Sequence, residues 1–278
     1  MNRVLTTLKK RSGRFGFRID NMLRVLTGST AGRRIVFLHI PKCAGSSVNF
    51  IFKRTIGSSR SGRVILIDDR IDAPVYEDKV KRARGARFVG GHFGFETLEA
   101  VRGDALTFTV LRDPFDRLRS TYGHFHTRRK GNPLGHKVPQ MTLEDYLKSE
   151  DPEILQWTDN VMTRQLASSH DRERVIGVPL DAMVKQAIAH IDQIDIVAFL
   201  EQLPEDMARV TQEAGIRFDG LMPQENVTSR KAPGKAPKAA IAPLDENQKR
   251  LALERIRGDL AVYEYARAKA GLTAAHGE

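Results

Sequence analysis

Cysteine is nearly missing from this 278-residue chain: Cys43 is the only one. No disulfide can form within it, and such cysteine usage fits a reducing compartment. Long apolar runs are missing too. None approaches the roughly 20 residues of a membrane span, and none near the start reaches the roughly 7–15 residues of a secretion signal. There is no G-x-x-x-x-G-K-[ST] phosphate loop, no RNP, zinc-finger or helix-turn-helix signature, and no internal repeat. Acidic residues are the minority, 34 Asp and Glu against 45 Lys and Arg, for a formal net charge of +11. So basic a chain selects anionic partners (a nucleotide, a sulfated or carboxylated glycan, lipid headgroups or nucleic acid), and charge alone does not choose among them.

What is present suffices for one core. With 41% hydrophobic residues, a chain of this length buries a sizeable interior as one domain with extensions. Its most informative stretch is Arg34-Ile35-Val36-Phe37-Leu38-His39-Ile40-Pro41-Lys42-Cys43-Ala44-Gly45-Ser46-Ser47. Ile35 to Ile40 has the apolar character of a buried strand, Pro41 stops it, and Val48, Phe50, Ile51 and Phe52 then suit a helix. A strand, a small-residue turn and a helix N-terminus direct free backbone N–H groups and the positive end of a helix dipole at one spot. Lys42 adds a cation, and the small side chains admit an anion to the backbone. The expectation is a cradle for a phosphate or sulfate ester; the alternative is an ordinary strand-to-helix turn.

A second apolar run, Thr107 to Leu111, ends in Arg112-Asp113-Pro114-Phe115-Asp116-Arg117-Leu118-Arg119-Ser120. Two strands that each end in an anion-suited turn are what a nucleotide with phosphates at both ends of its ribose requires. His39 to Ser47 resembles the 5'-phosphosulfate loop of sulfotransferases that use 3'-phosphoadenosine 5'-phosphosulfate (PAPS). Leu111 to Ser120 is similar to their 3'-phosphate site, R-D-P-x-x-R-x-x-S. The likeness is to carbohydrate sulfotransferase family 2, which includes heparan sulfate 2-O- and chondroitin-type enzymes and bacterial relatives. Weaker likenesses, Asn160 to Leu166 with N-x-x-T-R-x-L and Asp259, Tyr263, Tyr265 and Ala266 near the end, extend it over roughly residues 33–270. The resemblance implies an α/β protein with a three-layer, P-loop-like sulfotransferase fold, a central parallel sheet flanked by helices. It also implies PAPS as co-substrate, no metal, and transfer of a sulfuryl group to a hydroxyl of a carbohydrate or glycolipid.

The resemblance gives the motif residues their roles. Lys42 is suited to the charge that develops on the departing oxygen, with a solvated lysine as the alternative. Cys43, Ala44, Gly45, Ser46 and Ser47 would hold the 5'-phosphate through backbone N–H groups and two hydroxyls. Arg112 and Ser120 would hold the 3'-phosphate; an ion pair with Asp113 or Asp116 is the alternative for Arg112. The acceptor hydroxyl needs a base, and His92 is the candidate, because an imidazole titrates near neutral pH and Gly90, Gly91 and Gly94 leave room for a substrate. The alternative is a structural histidine, with Glu96 as the fallback base. Arg128, Arg129 and Lys130 either guide an anionic acceptor or form a solvated face, and Arg164 is a candidate lining residue. His39 reads as a buried, satisfied histidine and Trp157 as core. His124 and His126 lack a third ligand type nearby, so no metal is expected.

Residues 1–32 read as a basic N-terminal extension, with Arg3, Lys9, Lys10 and Arg11 among Leu5, Leu8, Phe15 and Phe17. It either touches an anionic membrane surface or packs as a solvated arm. Residues 33–272 form the expected sulfotransferase domain, with 229–243, rich in Pro, Lys and Ala, as a mobile loop. Strands at 35–40, 64–67 and 107–111 alternate with helices such as 74–84, and a further strand is read at 194–200. This argues for a parallel sheet with right-handed crossovers. A polar, basic loop is expected at 123–140, then helices, one starting at Thr142 and the last spanning 245–270. The setting expected is cytoplasmic, peripheral to the inner membrane, with no nucleic-acid partner. Two other readings compete: a different nucleotide-phosphate enzyme of kinase type, and a non-catalytic basic module for membrane or nucleic acid.

Overall fold

The computed structural model of the protein describes residues 32–56, 64–127, 132–216, 220 and 242–273. The N-terminal extension up to residue 31, the Arg128, Arg129 and Lys130 cluster, and residues 229–241 of the expected loop lie outside the described residues.

Five strands, β1 (Ile35–Leu38), β2 (Val64–Asp68), β3 (Phe88–His92), β4 (Leu106–Leu111) and β5 (Ile196–Phe199), form one parallel sheet in the order β2-β3-β1-β4-β5. β1 and β4 are buried along their whole length, as expected of strands covered on both faces. The two threonines of β4 are satisfied there. Thr109 Oγ1 donates to the Leu38 carbonyl at 2.9 Å, and Thr107 donates through N and Oγ1 to the Asp195 carboxylate at 2.7 and 2.8 Å.

The strands alternate with helices α1 (Gly45–Thr55), α2 (Ala73–Ala83), α3 (Phe95–Arg102) and α4 (Pro114–Thr127). A helical half follows: α5 (Leu143–Lys148), α6 (Pro152–Thr158), α7 (Val161–Ala167), α8 (Leu180–Ile191), α9 (Leu203–Glu213) and α10 (Glu246–Lys269). The sheet is flanked by helices, as the two anion-suited turns and the alternating pattern required. Two helix starts follow from their first residues. Thr142 with Asp145, and Asp245 with Gln248, form reciprocal capping boxes.

One boundary differs from the sequence expectation. The polar composition of 123–140 suggested a loop from Gly123, yet α4 continues to Thr127 and a short 3-10 turn occupies Val138–Gln140. The reason is apolar spacing within the polar run. Leu118, Tyr122 and Phe125 lie on one face of α4 and pack with Leu134, Val138, Tyr146 and Ile154 into a second core. The long α10 packs against α4, α5, α7 and α8. A fully buried ion pair, Arg117 Nη2 to Asp259 Oδ2 at 3.6 Å, ties α4 to α10. Asp259 Oδ1 also accepts the Thr163 amide and hydroxyl at 2.8 and 2.9 Å, which adds α7 to the knot.

The order of strands decides where a ligand goes. β1 lies between β3 and β4, with Leu38 beside Gly91 on one side and Thr109 on the other. Loops leaving these strands diverge at the carboxyl edge of the sheet, and the crevice between them is the place where parallel α/β sheets bind ligands.

Candidate active site

The loop after β1 turns sharply through two left-handed residues, Lys42 (φ 70°) and Ala44 (φ 57°). Ala44 sits at the N-cap of α1 without a side-chain cap. Cys43 N donates to the Ile40 carbonyl at 3.2 Å, and Ser47 N and Val48 N donate to the Ala44 carbonyl at 2.9 and 3.1 Å. Among the described residues, the amides of Ala44, Gly45 and Ser46 donate to no backbone carbonyl. Ser47, expected to lend its amide to an anion, spends it inside the turn. Cys43 is fully buried, and burial pushes its thiol up to about 12. It is a small packing residue under the loop, not a nucleophile.

Gly45 is required by a contact that spacing does not reveal. A Cβ placed there would lie 1.7 Å from His39 Nε2. The His39 ring therefore lies directly on the start of α1, stacked on Phe37 at 5.3 Å and tilted against His92 at 4.3 Å. The residue as a whole is half-buried at the mouth of the loop, and burial of its ring holds it well below the ordinary imidazole value.

The second anion turn reaches the first. Arg112, just past β4, donates from Nη1 to the Lys42 carbonyl at 3.3 Å, and its Nε is buried with no hydrogen-bond partner among the described residues. Asp113 Oδ1 accepts the Asp116 amide at 2.9 Å, and Asp116 pairs with Arg119 at 2.6 Å. Pro114 opens α4, and Ser120 stands half-buried in its second turn. Arg117 is committed to Asp259.

His92 ends β3, register partner of Asp68 at the end of β2. Burial holds its imidazole down to about 4, against the Asp68 carboxylate, which pulls it up, while Arg70 and Lys42 also depress it. At neutral pH it is unprotonated and able to accept a proton. The glycines around it do not open space, contrary to the sequence expectation. Gly91 (φ 143°) admits the Ile67 carbonyl, and Gly94 admits the Ser168 carbonyl, each 1.9 Å from where a Cβ would stand. Glu96 is exposed on α3 and accepts the Ser168 hydroxyl at 2.5 Å.

Arg164 is not offered to a substrate. It is 1% exposed, and its Nε, Nη1 and Nη2 donate to the carbonyls of Asp159, His170 and Gln156 at 2.7, 3.1 and 2.8 Å. Burial lowers it to about 10, still a cation at neutral pH. It holds the α6–α7 corner and the residues after α7 in place.

Those residues carry what the sequence reading missed. His170 is fully buried, with its ring 5.3 Å from that of His92. Asp69 Oδ2 accepts the Gly94 amide, the Ser169 hydroxyl and the His170 amide at 3.0, 2.9 and 2.9 Å. Gln165 Nε2 donates to the carbonyls of His39 and Phe93 at 2.9 and 2.8 Å, joining the loops after β1 and β3. Arg70 pairs with Asp68 through Nε and Nη2 at 3.2 and 3.0 Å and lies 4.8 Å over the Trp157 ring. Trp157 is half-buried and packs against the second core, as expected, in edge contact with Phe125 and His170. The adjacent acids Asp68 and Asp69, straight after an apolar run, were the one available signal; His170 and Gln165 gave none. His124 and His126 lie in the last turn of α4 against Phe125 and Tyr122.

A parallel sheet whose central strand ends in an amide-lined turn with a lysine, faced by an arginine from the next strand, is an arrangement suited to phosphate or sulfate esters. Comparison with protein families places it more closely: residues 30–266 match the Sulfotransferase family, and the chain belongs to it. No curated protein matches the chain.

Proposed function

We propose that the protein transfers a sulfuryl group from PAPS to a hydroxyl of a carbohydrate or glycolipid. The observation that carries this reading is the meeting of two motif turns. Lys42 and Arg112 lie within hydrogen-bond reach of one another, so one small nucleotide can touch both. The amides of Ala44, Gly45 and Ser46 receive the 5'-phosphosulfate end, with the Ser46 and Ser47 hydroxyls beside them. Arg112 and Ser120 receive the 3'-phosphate, for which a guanidinium offers a bidentate grip.

In the transfer, the acceptor oxygen forms a bond to sulfur as the bond from sulfur to the bridging oxygen breaks. The acceptor proton passes to the neutral His92 imidazole. The departing 5'-phosphate oxygen gains negative charge, and the Lys42 ammonium and the α1 amides stabilise it. The chemistry is in-line displacement, in which placing the reactants and stabilising charge do most of the work. Among the described residues no helix is long and apolar enough to cross a membrane. Our reading keeps the enzyme cytoplasmic, with the basic residues 1–32 touching an anionic inner-membrane surface where a glycolipid acceptor would lie.

Differential scanning fluorimetry tests the donor. 3'-Phosphoadenosine 5'-phosphate (PAP) should raise the melting temperature without magnesium, and ATP and duplex DNA should not. Equal stabilisation by ATP would replace the reading with a kinase-like one. Incubating glycan and lipid extracts with labelled PAPS then identifies the acceptor. Against that acceptor, His92→Ala should lose about 10²–10⁴ in kcat while keeping its stabilisation by PAP.

A further inference from the structure

Behind the His92 ring, five buried polar atoms have no hydrogen-bond partner among the described residues: His92 Nδ1, Nδ1 and Nε2 of His170, Asp69 Oδ1 and Gln165 Oε1. They belong to one locality. The Asp69 amide donates to the His92 carbonyl at 3.0 Å, Asp69 Oδ2 accepts the His170 amide, and the two imidazoles are 5.3 Å apart. Leaving buried polar atoms unbonded is expensive, and a core filled only for shape would use leucine or phenylalanine there. Several buried donors and acceptors converging on one locality are the setting in which proteins hold internal water.

We propose that Asp69 and His170 are positioning residues for the base: a water held by Asp69 Oδ1 and a ring nitrogen of His170 accepts a hydrogen bond from His92 Nδ1–H. The inference rests on the reading of His92 as the base. It fixes the tautomer, because a neutral imidazole with Nδ1 protonated keeps its Nε2 lone pair for the acceptor hydroxyl. The His39 carbonyl also faces the ring and accepts the Gln165 amide at 2.9 Å, so it is the acceptor that competes with the water for the His92 proton. During transfer the acceptor O–H bond breaks and an Nε2–H bond forms. The resulting imidazolium then points its Nδ1–H through the water at the Asp69 side chain. This is the division of labour between a histidine base and its orienting carboxylate, with a water interposed.

The test is ¹⁵N NMR of histidine-labelled full-length protein saturated with PAP. The chain has eight histidines, and the His92 signals are identified by their loss in His92→Gln. The wild-type ring should be neutral at pH 7.5 with the proton on Nδ1. An Nε2–H tautomer in the wild type overturns the proposal before any other variant is made. In Asp69→Asn the side-chain carbonyl can still accept the three hydrogen bonds of Oδ2, and in His170→Phe a buried ring is kept. Each should lower the ratio of Nδ1–H to Nε2–H by about tenfold, the worth of one hydrogen bond to a charged group. An unchanged ratio in both also overturns it. The tautomer is read without any acceptor, so full transfer activity in His92→Ala would remove the base assignment and leave this measurement standing on its own.

Discussion

Replacing Gly45 with alanine sets two physical arguments against each other. Gly45 begins α1 with no left-handed backbone to protect. By chain entropy alone, Gly→Ala at such a position stabilises by about 0.4–1 kcal/mol. The packing says otherwise. The new methyl would lie 1.7 Å from His39 Nε2 and 2.0 Å from both Cδ2 and Cε1. The His39 ring cannot simply lift away, since Phe37 stacks on it at 5.3 Å and His92 leans on it at 4.3 Å. Overpacking of this kind costs about 1–3 kcal/mol, so the net expectation is a loss of roughly 1–2 kcal/mol, or about 2–8 °C in melting temperature at the 2–4 °C per kcal/mol of a domain this size. Because the methyl displaces the anion turn, stabilisation by PAP should shrink as well. Urea titration of four proteins decides it: wild type, Gly45→Ala, His39→Ala and the double variant. In the His39→Ala background the methyl has room, and the same substitution should become neutral or stabilising. An equal effect of Gly45→Ala in both backgrounds would falsify the argument.

Lys42→Ala should lower kcat by about 10²–10³, the worth of one charge-stabilising donor, while PAP still raises the melting temperature; near-normal turnover would remove Lys42 from the reaction. Stability should fall as the solution is acidified from pH 7.5 to 5. His39, His92 and His170 are all held below the ordinary imidazole value of 6.5, chiefly by burial. Above pH 6.5 neither folded nor unfolded chain binds these protons and the stability is fully present. Below it the unfolded chain takes up protons that the folded one refuses, and for His92 the loss continues until its folded value of about 4. At about 1.4 kcal/mol per pH unit this comes to roughly 3 kcal/mol for His92, and a urea midpoint flat from pH 7.5 to 5 would contradict it. Asp259→Ala should destabilise by about 3–5 kcal/mol, because it strands the buried Arg117 charge. The double change Arg117→Met with Asp259→Leu should recover most of that loss in the same titration.

The sequence was a good guide wherever a local rule was sufficient. Pro41 stopping an apolar run, small residues behind it and Pro114 after Arg112 are readable because strand breaking, close anion approach and first-turn proline depend on near neighbours. The Thr142 helix start and the terminal helix are legible for the same reason. The reading slipped where composition and packing disagreed. Gly123 to Thr127 is polar enough for a loop and is helical because Tyr122 and Phe125 have a second core to face. Arg164 is cationic enough for a ligand site, and it is instead spent on three carbonyls.

The chain alone determined that the protein has two anion-suited turns, each at the end of a strand, and a histidine set among glycines. Bringing them together was the work of tertiary structure. The β2-β3-β1-β4-β5 order sets β3 and β4 on either side of β1, so that His92 and Arg112 converge on the Lys42 turn. Only the folded chain adds Gln165 and His170 to that place, from a helix and a loop far along the sequence. Their contacts depend on how α7 packs against α3, α8 and α10, and side-chain packing between distant segments leaves no periodic trace in the sequence.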